Sequence, residues 1–197
     1  MVIPAIEDSY VYSRPGCEDT NFNNHSGWAD SDIYIGQTNS GQDDWLTRSY
    51  IKFMVPQLPE GLSYANLNME ACFSGGASNV EVHYCSNDSW NESSLTWNNQ
   101  PNISTFTLLD TISVDGNGAY SWDIASALAN ETDNHLTFML RNVDDAYPTQ
   151  VFFASETWNE TRRPHIEYAA PVPEPATTAM FRIGGAGWFI RRRRKKR

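Results

Sequence analysis

The feature that most constrains this chain is an apolar–polar alternation with a period of two, repeated in short segments between Ile33 and Tyr168. Successive side chains of a strand point to opposite faces, so such segments read as strands with one buried face. In Arg48–Val55, the residues Ile51, Phe53 and Val55 share a face. Leu67, Met69, Ala71 and Phe73 oppose Asn68, Glu70 and Cys72, and Val80, Val82 and Tyr84 oppose Glu81, His83 and Cys85. Leu136, Phe138 and Leu140 alternate with Thr137 and Arg141; Val151 with Phe153, Ile166 with Tyr168, and a short stretch at Ile33 and Ile35 continue the pattern. Turn signals separate them: Leu58-Pro59-Glu60-Gly61, Gly75-Gly76-Ala77-Ser78 and Asp115-Gly116-Asn117-Gly118. The expected fold is all-β, an antiparallel sandwich of the jelly-roll type. One short helix is expected over Asp123–Ala129, with Asp123 as its N-cap. A long irregular region lies between about Cys17 and Arg48. The 197 residues suffice for one domain, placed at 1–170, and a tail at 171–197.

Charge divides the chain the same way. Residues 1–170 carry six basic and 23 acidic side chains, whereas the tail holds eight basic residues and Glu174 alone among acids. A body this acidic repels phosphate backbones, which excludes nucleic-acid binding. Catalytic signatures are missing: there is no Gly-x-Ser-x-Gly, no His-Glu-x-x-His and no phosphate-binding loop, so no enzyme is expected. Cys17, Cys72 and Cys85 form no Cys-x-x-Cys pair; Cys72 and Cys85 bridge only if their strands are neighbours, and otherwise all three are unpaired thiols. Asn24, Asn87, Asn91, Asn102, Asn130 and Asn159 head Asn-x-Ser/Thr sequons. They are glycan acceptors in a eukaryotic secreted protein, or the by-product of an Asn- and Ser-rich surface.

Long loops on a rigid sandwich are where ligands are met. Trp28, Trp45 and Trp158 sit in polar stretches, such as Gln42-Asp43-Asp44-Trp45. An indole placed so is a loop anchor or a sugar-stacking platform, and these three are the candidate ligand-binding residues. Oxygen ligands for calcium are offered by Asp8, Glu18, Asp19, Asn21, Asp30 and Asp32. The Asp30-x-Asp32 spacing sends two carboxylates from one side of an extended segment.

Several motifs resemble a known family. Arg48-Ser-Tyr-Ile-Lys-Phe, Leu58-Pro-Glu-Gly and Ala65-Asn-Leu-Asn-Met look like the first half of a DNRLRE domain. Val80-Glu-Val-His-Tyr, Trp90-Asn-Glu92, Thr96-Trp97-Asn98-Asn99-Gln-Pro101, Trp122-Asp-Ile and Arg163-Pro-His-Ile-Glu-Tyr168 are similar to the second half. The resemblance covers nearly all of residues 5–169 and implies an extracellular jelly-roll sandwich. Relatives include carbohydrate-binding modules, alginate binders among them, and modules attached to secreted enzymes or surface proteins. Trp90, Glu92, Thr96, Trp97, Asn98 and Pro101 cluster in one connection, where an aromatic, a carboxylate and amides are expected to lock a loop.

The tail resembles a PEP-CTERM sorting signal: Pro173-Glu174-Pro175, an apolar stretch, then Arg191–Arg197. That resemblance implies an exported bacterial protein, cut by an exosortase and meeting the membrane only transiently. Residues 176–190 would span about 22 Å as a helix, short of a hydrocarbon core near 30 Å, and they contain Arg182. Met1–Asp8 has neither a basic nor an apolar leader region, so a start assigned downstream of a signal peptide is expected. The expected function is a non-catalytic surface or matrix protein binding polysaccharide, or else a structural or adhesive module without a glycan site. The acidic body favours a neutral glycan, or calcium bridging, over an anionic polymer.

Overall fold

Among the described residues there are ten antiparallel strands, and seven of them account for the alternating segments. The structure is a computed structural model, and it describes residues 1–22, 32–39, 44–56, 61–129, 133–143, 150–155 and 160–169. In chain order the strands are β1 (Val2–Tyr12), β2 (Asp32–Asn39), β3 (Asp44–Met54), β4 (Tyr64–Ser74), β5 (Ser78–Cys85), β6 (Thr107–Val114), β7 (Gly118–Asp123), β8 (His135–Asn142), β9 (Gln150–Ala154) and β10 (His165–Ala169). A single α-helix, α1 (Ala125–Leu128), stands between β7 and β8 among the described residues.

One layer runs β1–β3–β8–β5–β6. In the other, β4 carries β7 on one edge and β10 followed by β9 on the opposite edge, and β9 continues to β2. Two strands turn the corner between layers. β1 pairs with β10 through Val2–Pro4, then with β3 from Ala5 onwards. β2 pairs with β9 through Asp32–Gly36, then with β3 through Gly36–Asn39. Gly36 sits at the shared position with φ 147°, a conformation side chains disfavour. There Thr47 Oγ1 donates to Gly36 O and Ser49 Oγ to Tyr34 O, both at 2.6 Å, so β3 hydroxyls serve carbonyls of the departing strand.

The inner faces meet as the alternation requires. Ile51, Phe53, Phe138, Leu140, Val80 and Val82 of the first layer pack with Leu67, Met69, Val151, Phe153, Ile33 and Ile166 of the second. Trp122 is fully buried and donates its Nε1 proton to Val80 O at 3.1 Å, fastening β7 to the opposite layer. The fold is an antiparallel β-sandwich.

The structure sharpens the sequence reading at several points. The helix is only Ala125–Leu128; Asp123 ends β7, and its Oδ1 accepts from Ala125 N at 2.9 Å. Ile124 holds the N-cap position because the core claims its side chain and its N–H bonds Ala65 O. The Gly75–Ala77 and Asp115–Asn117 turns do not close hairpins: β4 and β5 lie in different layers, as do β6 and β7, so each turn carries the chain across the sandwich. Cys72 and Cys85 are consequently not neighbours, and no disulfide joins any of the three cysteines. The polar face of β5 is not solvated either, since Glu81, His83 and Cys85 are all buried. The Leu58–Glu60 turn signal lies outside the described residues.

Candidate functional site

The cover over that polar face is the connection between β5 and β6, residues 86–106. It lies on the outer surface of the β1–β3–β8–β5 layer. Trp90 and Leu95 join Val11, Tyr50 and Met139 in a second apolar cluster, with Trp97 and Phe106 at its margin. Trp90 Nε1 donates to Thr137 Oγ1 at 3.1 Å. Beneath it Lys52 is buried: Nζ donates to Trp90 O at 2.6 Å and Glu7 Oε2 at 2.9 Å, and stands 4.5 Å from the Trp90 ring centre. One turn of strand away, Tyr50 OH and Arg48 Nη1 both donate to Gln100 Oε1, at 2.9 and 3.0 Å. Arg48 also lies over the Trp97 ring at 4.4 Å.

Each residue of the connection motif has a place here. Thr96 N donates to Asn99 Oδ1, and Asn99 Nδ2 to Ser94 O. Asn98 ties the connection to the first loop, donating Nδ2 to Asp19 Oδ1 at 2.8 Å and its backbone N to Glu18 O. Asn21 Nδ2 reaches back to Glu92 O and Leu95 O. Pro101 is buried. Sequons Asn87, Asn91 and Asn102 share one geometry: the asparagine Oδ1 accepts from both N and Oγ of the serine two residues on. Asn-x-Ser recurs here as a turn-closing unit, a physical alternative to chance composition. Asn24, Asn130 and Asn159 lie outside the described residues.

Four of the six residues expected to hold calcium have described side chains, and each has a place of its own in the structure. Asp8 is buried in β1, Glu18 Oε2 accepts from Gly16 N, and Asp19 and Asn21 serve the connection as above. Asp30 and the side chain of Asp32 lie outside the described residues. Among the described residues no three metal-ligating side chains come together.

Trp28 and Trp158 also lie outside the described residues. Trp45 is half-buried at the start of β3, with Tyr12 edge-on at 6.0 Å and Arg14 over one face at 4.7 Å. It ends a band of rings that sequence reasoning missed. Phe73 meets Phe152, which stacks on Tyr34 at 4.6 Å; Tyr34 meets Tyr10, and Tyr10 stacks on Phe22 at 5.0 Å beside Tyr12. Burial pushes the Tyr10 hydroxyl up to about 12 and raises that of Tyr34 as well. The available signal was Tyr34 and Phe152 standing on the non-core side of strands whose other side is Ile33, Ile35, Val151 and Phe153.

Five of the six basic side chains of the body are engaged internally. Arg14 caps Trp45, Arg48 caps Trp97, Lys52 bonds Glu7, Arg141 Nε bonds Glu81 Oε2, and Arg162 Nε lies 3.0 Å from Glu70 Oε1. Glu81 also meets His83 Nε2 at 2.8 Å. Burial opposes ionisation of Glu81, but His83 and Arg141 outweigh it and hold the carboxyl below its ordinary value.

An open depression of about 650 Å³ lies beside the connection, lined by Ile6, Glu7, Lys52, Met54, Ser86–Ser89, Asp133 and His135. Asp88 stands in its wall, its carboxyl raised chiefly by burial, against a hydrogen bond from Thr137.

Comparison with known families supplies what geometry leaves open. Residues 171–194 match the PEP-CTERM protein-sorting motif, which marks secreted, surface-targeted bacterial proteins. No curated protein matches the chain. Residues 1–168, the whole sandwich, match carbohydrate-binding module family 96. The chain therefore belongs to carbohydrate-binding module family 96 and carries a PEP-CTERM sorting motif behind its sandwich.

Proposed function

We propose that the protein is an exported, non-catalytic module that binds a neutral polysaccharide at the bacterial surface or in the matrix around it, its tail being the substrate of an exosortase. The family match across residues 1–168 carries the polysaccharide part of this reading. Charge supports the neutral part. The body has six basic side chains against 23 acidic ones, and five of the six are spent on Trp45, Trp97, Glu7, Glu81 and Glu70. A polyuronate would meet net negative potential with most of the basic counter-charges already used. The test is affinity electrophoresis of the body, residues 1–170, in gels holding neutral glucans, xylan or galactomannan, and in gels holding alginate. Retardation by a neutral polymer is the expected result; retardation by alginate alone, without calcium, overturns the charge argument.

A second reading, a structural or adhesive module with no glycan site, is favoured by one observation. Trp45, Trp90 and Trp97 each hold a cation over the ring, which suits an anchor better than an open platform. Changing Trp28, Trp45 and Trp158 to alanine separates the two. Loss of glycan retardation with an unchanged Tm supports the first; a fall in Tm with no retardation to lose supports the second.

A further inference from the structure

The depression beside the connection is made by departures from regular structure. β1 shifts register between Ala5 and Glu7, and the bulge leaves Ile6 40% exposed at the rim. Opposite, β3 ends at Met54, 57% exposed, where a strand end would usually be polar. The far wall is the turn before β8, where Asn134 adopts φ 69°, the one positive φ outside glycine among the described residues. The near wall is Ser86–Ser89, fixed by the Asn87–Ser89 turn, by Cys85 Sγ donating to Asn87 O at 3.4 Å, and by Trp90 on Thr137 just behind. The near wall is thus preorganised before any ligand arrives.

Its chemistry is two-sided. Ile6 and Met54 bring apolar groups to the lining, and Ser86, Asn87 and Ser89 bring hydroxyl and amide groups, some of them already used within the Asn87–Ser89 turn. A pyranose has the matching form, with C–H groups on its faces and hydroxyls around its rim. The volume lies in the usual range for small-ligand sites, roughly 300–1,000 Å³. The one ammonium present, Lys52, is committed to Glu7 and to Trp90 O, so an acidic sugar would face Asp88 and Asp133 with only the His135 imidazole left in the lining to set against them. Resting on the polysaccharide reading above, we infer that this depression is a binding subsite for a neutral pyranose, with Met54 and Ile6 against the sugar face and Ser86–Ser89 on its hydroxyls.

The test uses the full chain labelled with methyl-¹³C methionine. Cello-, xylo- and manno-oligosaccharides are titrated in turn, and alginate oligosaccharides serve as the contrast. A neutral oligosaccharide should shift the Met54 methyl signal saturably and leave those of Met69 and Met139, each 2% exposed, in place. Met54→Glu, at a position exposed enough to spare the fold, should weaken that oligosaccharide by about tenfold or more, with Tm unchanged. A neutral glycan that binds in gels or by calorimetry, yet leaves Met54 unmoved and binds Met54→Glu as tightly, overturns the subsite and spares the proposed function. No binding of any neutral glycan overturns both. An alginate oligosaccharide that moves Met54 overturns the charge assignment of the groove.

Discussion

Replacing Lys52 by methionine tests what holds the connection to the sandwich. Methionine keeps the apolar stem and deletes the ammonium, so packing changes little. Three interactions disappear: the bond to Trp90 O, the pair with Glu7, and the contact with the Trp90 ring. The Trp90 carbonyl is left as a buried acceptor, at a cost of about 1–3 kcal/mol. The ring contact is worth about 0.5–2 kcal/mol where water is excluded. Glu7, with 25% of its side chain exposed against 8% for Lys52, can rehydrate, so its loss adds about 0–1 kcal/mol. Relief of the desolvation cost of a buried ammonium offsets part of these losses, so Lys52→Met should destabilise by roughly 2–4 kcal/mol, and Glu7→Gln by under about 1 kcal/mol. Urea unfolding of both variants and of the double variant measures this, read as midpoint shifts at constant slope. The double variant should fall close to Lys52→Met alone, because the Glu7 interaction is already gone. A cost below about 0.5 kcal/mol for Lys52→Met would refute the reasoning and leave the connection held by apolar contact alone.

Three further outcomes follow from the same geometry. Glu81 has its folded carboxyl depressed by His83 and Arg141 against the effect of burial, so its contribution is present above the ordinary carboxylate pKa and lost as pH falls through the folded value. Glu81→Gln should lower Tm at neutral pH, and the difference from wild type should vanish in strong acid; a pH-independent difference contradicts this. Asp88 is raised by burial, so the native form holds its proton more tightly and stability declines as pH rises through the folded value. Asp88→Asn should raise Tm at neutral pH, with the gain shrinking below the ordinary aspartate range; a lower Tm at neutral pH refutes it. Calcium on the first-loop acids, if bound, makes EDTA lower Tm by mass action; an unchanged melt with no calcium by elemental analysis removes the ion from the account.

Alternation made the core legible because burial on one face of a strand leaves a period of two in the sequence. Ile51, Phe53, Leu67, Val80, Phe138 and Ile166 all occupy the inner faces expected of them. β6 and β7 were not legible. Leu108 and Leu109 break the alternation in Thr107–Val114, because β6 is an edge strand with Leu108 half-exposed, and Gly118–Asp123 buries only Trp122. The cross-layer turns were hidden for another reason: a Gly-rich turn reads the same whether it closes a hairpin or changes sheets. The depression is the least visible feature. Ile6 lies at its rim through a bulge, Met54 through the end of a strand, and Asp133 through a turn, none of which leaves a spacing in the sequence. The tail, by contrast, is carried by composition and a three-residue motif, and the sequence alone suffices to find it.

The central claim is that this sandwich binds an uncharged polysaccharide through a surface that needs no cation. Isothermal titration of residues 1–170 with a neutral oligosaccharide, at low and at high salt, addresses it most directly. The account predicts a saturable heat with an affinity that salt leaves unchanged, and no heat with alginate oligosaccharides in chelator. Binding of alginate oligosaccharides that weakens steeply with salt, with none of the neutral sugars bound, would contradict it.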